Sequence, residues 1–580
     1  MKHLFGRIMA SRFGLLWLLI LLVSINIIAS FFHGRIDLTK EKRYTLSKAT
    51  RQLLLALDDN IQVDVFLTGE FPAGFRKLAN STAEFLQLIK DRNGSKVHYR
   101  FVSPEEKIPG SSITYADSLI SLGAVPINLT VQKKAGESSN IIFPVALLTY
   151  KGQQSLVNLY PGASSRISQE EINSAEALME YQFAKTLDKI SQQRKPGIAY
   201  SVGNGEPTDG RAYDLVQALQ KDYQFGMLNL NTDTIPSAVD ILMIVKPKLA
   251  FNEDEKFRID QFVMNGGKLL WFIDNLIAEQ DSLAFKPETI AFDRNLNLTD
   301  LLFRYGLRIN TDLVMDLQCD MIPFVVGGSD ENPQYEFLHW NYFPLLSASG
   351  AMNKNMGYVA AKFANSIDTI QSANVQKTPL LVSSANSRII STPALISLNE
   401  NRNVPQDEKF KRNAIPVAML MEGKFTSLYK NRASREQLNT LAQNGTGFLG
   451  ESVQNKMVIV ADGDIVLNDF IRSGTDGQPT PLPMGWNKYT YGEYEKQSDY
   501  GRAFIPVANR EFLLNSVEFL VNNPAVIETR NKDIVLRLLD SQKVKEKKTF
   551  WQFINIALPV LLVIIAGFVY QQIRKKKYSS

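Results

Sequence analysis

Asp240-Ile241-Leu242-Met243-Ile244-Val245 and Lys268-Leu269-Leu270-Trp271-Phe272-Ile273-Asp274 decide the fold. Both runs are short and continuously apolar, the pattern of strands covered on both faces. Between them Asn252-Glu253-Asp254-Glu255 opens a helix and Gly266-Gly267 stops it. Strand, helix and strand in that order predict parallel neighbours in an open sheet. Upstream, Gly197-Ile198-Ala199-Tyr200-Ser201-Val202 reads as a strand ending in Gly203-Asn204-Gly205-Glu206. Downstream, Lys456-Met457-Val458-Ile459-Val460-Ala461-Asp462 reads as a later strand of the same sheet. The expected fold class is α/β.

A smaller unit precedes this sheet. Thr45-Leu46-Ser47 opens a helix from Lys48 to Asp58, and Ile61 to Phe66 alternates as a half-buried strand does. Pro72 to Asp91 has helical spacing, and Val97 to Val102 is the next strand. This β-α-β order predicts two parallel strands. Lys151-Gly152-Gln153-Gln154 is a hairpin signal between Ile141–Tyr150 and Ser155–Tyr160. Together these predict a thioredoxin-like α/β domain over 34–194, closed by a helix that starts at the capping-box pattern Ser168-Gln169-Glu170-Glu171 and runs to about Ile190. Residues 195–540 form the parallel-sheet domain, with a β-rich insertion at about 308–450. A long loop over 471–505 and a helix from Asn509 to Leu520 follow.

The ends have a different character. No charged residue occurs from Phe13 to Phe32, or from Phe550 to Ile573. Each run is long enough to cross a hydrocarbon core as a helix. Residues 1–33 and 541–580 therefore read as terminal membrane helices with short basic flanks. Of the formal net charge of +5, the first segment holds +3 and the last +7, leaving about −5 on the 507 residues between. A nucleic-acid partner needs the opposite distribution. The basic residues on the two sides of each span nearly balance, but the short N-terminal tail and the long body favour export of the body. That arrangement is an inner-membrane protein with a periplasmic body and both termini cytoplasmic. Asn26 in the first span, and Asn555 and Gly567 in the second, are the candidates for helix packing in the membrane.

Signals for catalysis are absent from the sequence. Gly266-Gly267-Lys268 is followed by Leu269, where a phosphate loop needs Ser or Thr. There is no G-x-S-x-G, no H-E-x-x-H, one cysteine and four histidines. No cofactor and no catalytic or metal site is expected. One place has functional geometry, because open parallel sheets bind ligands beyond the carboxyl ends of their strands. Those ends carry Asn204, Glu206, Asp274, Asp462 and Asp464. Either they converge on a cation, a sugar hydroxyl or an amine, or they cap helices and make turns.

Asp37-Leu38-Thr39-Lys40-Glu41-Lys42-Arg43-Tyr44-Thr45-Leu46-Ser47, just after the first span, resembles the opening of the ABC-transporter auxiliary family. The stretch from Asp240 through Asn265-Gly266-Gly267-Lys268 to Asp274 resembles that family's second domain, related in fold to class I glutamine amidotransferases without their chemistry. Val460-Ala461-Asp462-Gly463-Asp464 and Asn509-Arg510-Glu511-Phe512-Leu513-Leu514-Asn515 are similar to two later motifs. Many relatives carry Gly-His-Gly-Glu where this chain has Gly203-Asn204-Gly205-Glu206. The resemblance is strongest to the gliding-motility-associated branch of Bacteroidota. It implies a non-catalytic subunit that accompanies an ABC permease and a separate cytoplasmic ATPase. A solute-binding module and a hydrolase with an unrecognised site are the alternatives.

Overall fold

The computed structural model describes, apart from short gaps, residues 45–491, 507–521 and 541–578. Of the first expected span only Ile20, Val23 and Ser24 are described, as helix; Asn26, Ser168 of the expected capping box, and most of the 492–540 stretch lie outside the described residues. The chain divides into two units, 1–532 and 533–580.

The first lobe of the larger unit starts with α1 (Lys48–Leu55), whose first turn is capped by the Ser47 hydroxyl accepting the Thr50 N–H. Strands β1 (Ile61–Val65) and β2 (Val97–Phe101) flank α2 (Ala73–Arg92) and pair in parallel, Ile61 opposite Val97. Strand β3 (Val145–Tyr150) pairs antiparallel to β1, and β4 (Gln153–Asn158) to β3. The sheet order is β2-β1-β3-β4. The β3–β4 turn needs positive φ at both central residues, and Lys151 (48°) and Gly152 (79°) supply it. A short helix (Tyr115–Ser121) and a hairpin (Ile127–Lys133 with Gly136–Ile142) come between, unannounced by periodicity. Ile141 thus belongs to that hairpin and not to the expected strand running to Tyr150. Helix α3 (Gln169–Ser191) covers the sheet with Ile172, Ala175, Met179, Phe183 and Leu187.

The second lobe is built on β5 (Gly197–Val202), α4 (Tyr213–Gln220), β6 (Gln224–Asn229), β7 (Val239–Val245), α5 (Glu253–Met264), β8 (Lys268–Phe272) and α6 (Thr299–Tyr305). It continues through β9 (Cys319–Ser329), β10 (Asn332–Ala348), β11 (Val375–Val382), β12 (Pro416–Thr426), β13 (Glu451–Val460) and α7 (Asn509–Val521). The large sheet has the order β9-β10-β11-β12-β13-β8-β7-β5-β6, with Val359–Ala360 added at β10. From β13 to β6 every pairing is parallel, and from β13 to β9 every pairing is antiparallel. The residues from 308 to 450 are strand-rich, but β10, β11 and β12 are not set apart. They prolong the parallel sheet, because β13 offers β12 a free edge.

The core explains the apolar runs. Every residue from Ile241 to Val245, Leu269 to Phe272 and Met457 to Val460 is 0 % exposed. Each strand has α4 and α7 on one side and α5 and α6 on the other, so alternation has no role. Asn252 caps α5, and Glu255 returns its side chain to the Asn252 N–H. Helix α3 ties the lobes, since Tyr181 donates to Glu518 on α7 at 3.0 Å and Lys185 pairs with the same carboxylate at 2.7 Å.

The second unit contains one long helix, α8 (Ser541–Tyr578). Its segment Phe550–Lys575 contains a strongly apolar stretch of 18 residues, none of it buried. Asn555 and Gly567 lie on it, and among the described residues nothing comes within 4 Å of a Cβ added at Gly567.

Candidate functional site

Strand β5 has β6 on one side and β7 on the other, so the direction of sheet growth reverses between β5 and β7. A crevice at such a switch point is where open α/β sheets take ligands. Here the loops after the two strands are bonded together. The Asn204 carbonyl accepts the N–H groups of Lys248 (2.7 Å) and Leu249 (2.8 Å). At Gly205, with φ of 79°, an added Cβ sits 3.0 Å from the Lys248 Cβ, so the approach requires glycine.

The sequence candidates separate into two groups. Glu206 accepts from the Ser201 hydroxyl and the Asn204 N–H, both at 2.8 Å. Asn204 in turn donates to Glu255, the capping residue of α5, at 3.3 Å. Burial pushes the Glu206 carboxyl up, with those hydrogen bonds pulling back. Asn204 and Glu206 therefore shape the loop after β5 and the start of α5, the turn-and-cap role that Asn and Glu side chains take at such places.

Asp274, Asp462 and Asp464 do converge, with carboxylate oxygens within 4.8 Å of one another. The residue that sequence reasoning missed stands among them. Lys246 follows β7 directly, adopts a left-handed backbone (φ 46°), and is 2 % exposed. Its ammonium donates to both Asp464 oxygens at 2.7 Å and lies 3.1 Å from Asp274 and 3.2 Å from Glu279. Glu279 also pairs with Arg294 at 3.1 Å. A parallel pair stands beside it, Lys362 with both oxygens of Asp469 at 2.8 and 2.9 Å. A lysine at the end of a wholly buried strand was the available signal, since an ammonium there must find carboxylates.

The electrostatics follow from burial. Burial opposes the Lys246 charge, but Asp274, Asp464 and Glu279 outweigh it and hold the ammonium well above the usual lysine range. Asp462 is 0 % exposed and has no ion pair among the described residues; its oxygens accept the N–H groups of Lys362 and Asp464, each at 2.7 Å. Burial first, then the Asp274 and Asp464 carboxylates, push the Asp462 carboxyl well above its ordinary range. Asp274 also accepts the Gly463 N–H, which clamps the loop after β13 to the loop after β8.

Three carboxylates at this spacing have the donor set of a divalent-cation site. They do not fit one here, because the Lys246 ammonium already takes both Asp464 oxygens and one of Asp274. The cavity beside Asp464 and Lys362 measures about 10 Å³, room for one water at most. A groove of about 740 Å³ opens next to this cluster. Ile273 and Asn275 line it, on either side of Asp274, together with Asn295, Asn297, Phe303 and Arg308. Cys319 is buried and burial pushes its thiol up, the opposite of a nucleophile.

Comparison with known proteins places these features. A family model described as "ABC-type uncharacterized transport system" matches residues 195–501, and one described as a domain of unknown function (DUF7088) matches 40–149. An uncharacterized protein of Borreliella burgdorferi is 22 % identical over 467 residues, spanning 79 % of this chain and 82 % of its own length. Among solved structures, the mmIFT52 N-terminal domain matches at 12 % identity with a TM-score of 0.27, over 47 % of this chain and 88 % of that one.

Proposed function

The chain belongs to the family of the ABC-type uncharacterized transport system, and on that premise we propose that it is a membrane-anchored, non-catalytic subunit of an ABC-type transporter. Membership makes it a transporter-associated accessory protein. In the finer reading it resembles GldG, the gliding-motility-associated component. Two spans then hold a periplasmic body, with both termini cytoplasmic, against a permease served by a separate ATPase. The observation that carries the membrane part is the Phe550–Lys575 helix, uncharged from Phe550 to Ile573 and with none of its apolar stretch buried. An isolated surface of that kind is costly in water and favourable in a bilayer.

The sealed switch point supports a mechanical role. Coupling to a permease requires contacts that differ between the permease's two states. A body whose strand ends are tied by Lys246 and Lys362 moves as a rigid piece and passes displacement on. The solute-binding reading is favoured by a different observation, the groove at Asn275, and not by the aspartates.

Purification of the tagged chain from native membranes tests the proposal. A permease and an ATPase are expected to co-elute. Elution of the chain alone, in a detergent that keeps other transporters intact, overturns it. A rise in melting temperature with a transported solute, lost on Asn275→Ala, transfers the function to the groove.

A further inference from the structure

Helix α8 carries two basic collars that flank its apolar segment. Lys543, Lys545, Lys547 and Lys548 precede it, and Arg574, Lys575, Lys576 and Lys577 follow it. The helix is unbroken through both collars. Trp551 and Tyr570, both exposed, stand nineteen positions apart, about 28 Å along a helix axis. That matches the hydrocarbon core of about 30 Å. Lys548 and Arg574 stand twenty-six positions apart, about 39 Å, close to the roughly 40–45 Å that includes both headgroup layers. The aromatic residues fall where the core ends, and the cations fall where the phosphates lie.

The arrangement around the axis selects the occupant. At about 100° per residue, positions 543, 545, 547 and 548 are spread over more than half of the helix circumference. Positions 574 to 577 go round almost the whole of it. A protein partner covers one face of a helix and calls for a one-sided stripe. A ring of cations suits ligands that approach from every side. Resting on the membrane reading of α8, we propose that both collars bind anionic phospholipid headgroups, and that α8 carries an annulus of such lipids in each leaflet. Charges of one sign at both ends also explain why the span by itself does not encode an orientation. Cations on both flanks cancel the asymmetry that orients a helix.

The test uses the full chain in discs of equal parts phosphatidylglycerol and phosphatidylcholine. After a mild detergent wash, the lipids retained per protein are quantified by mass spectrometry. The expected result is retention of phosphatidylglycerol over phosphatidylcholine by at least about threefold. The variant with all eight collar residues, Lys543, Lys545, Lys547, Lys548, Arg574, Lys575, Lys576 and Lys577, exchanged for Gln falls to the bulk ratio, and exchange of the same lysines for Arg keeps the preference. Retention in the bulk ratio by the natural chain overturns the proposal, as does an unchanged preference in the Gln variant. An unchanged lipid ratio with loss of a co-purifying membrane protein overturns it in favour of a protein contact. Failure of the chain to enter discs at all overturns the membrane reading, and this proposal with it.

Discussion

The ammonium of Lys246 donates to both carboxylate oxygens of Asp464, at 2.7 Å each, across 218 positions of chain. The pair joins the loop after β7 to the loop after β13, and Asp274 brings in the loop after β8. Ion pairs this deep gain little over an apolar core of the same volume, but removing one partner is costly. The cluster therefore holds three strand ends in one arrangement at the place where related folds open a crevice.

Lys246→Met leaves Asp274 and Asp464 buried without their cation. A loss of about 3–5 kcal/mol in unfolding free energy is expected. Combining it with Asp464→Asn recovers part of that loss, because the orphaned charge is gone. Denaturant titration of the single and double variants reads both numbers, and additive losses contradict the direct pairing.

Gly463→Ala places a Cβ 2.6 Å from the Lys246 Cβ and 3.0 Å from its Cα. Backbone must shift, so a loss of about 1–3 kcal/mol is expected. Gly226→Ala on β6 meets nothing within 4 Å and is the control. It changes stability by no more than about 0.5 kcal/mol. Equal behaviour of the two variants rules out the close approach at Gly463.

Asp462 gives a pH dependence of definite sign. Its folded pKa lies above its unfolded value. The folded state then holds the extra proton, and stability falls as pH rises from the unfolded value of about 3.9 toward the folded one. Asp462→Asn removes that slope. Its stability relative to the natural chain rises with pH above about 4, by at most about 1.4 kcal/mol per unit. Lys246 acts in another window: its contribution is intact below the ordinary lysine range and is lost as pH rises through its higher folded pKa. Unfolding titrations from pH 4 to 8 check the Asp462 slope, and a flat difference refutes it.

Cys319 is 3 % exposed and its thiol is pushed up by burial. It should stay unmodified by a maleimide at pH 7 in the folded chain and react once the chain is unfolded. That makes the natural protein a clean background for topology. Gln478→Cys, at an exposed position, should react with an impermeant reagent in intact spheroplasts. A cysteine at Lys576 should react only after lysis. The reverse pattern puts the body in the cytoplasm.

What the sequence determined by itself was the local and the fully buried. β7, β8 and β13 were legible because strands covered on both faces must be apolar throughout. Helix α5 was legible because Asn252 and Gly266 act on their own backbone. The aspartates after β8 and β13 were legible as polar residues ending apolar runs. Three things waited for the tertiary structure. Strand β6 has only Leu228 deeply buried, so its residues carry little periodicity. The antiparallel half of the sheet joins β12 to β13 by backbone pairing, which no side-chain pattern announces. The role of the acidic ends was the third. Five strand-end residues looked alike in sequence, yet Asn204 and Glu206 bond within their own loop and to the cap of α5, Asp274 and Asp464 meet Lys246 from 28 and 218 residues away, and Asp462 accepts backbone N–H groups beside them. Which ammonium closes on which carboxylate is a property of strand order, and strand order is set by long-range packing rather than by any single segment.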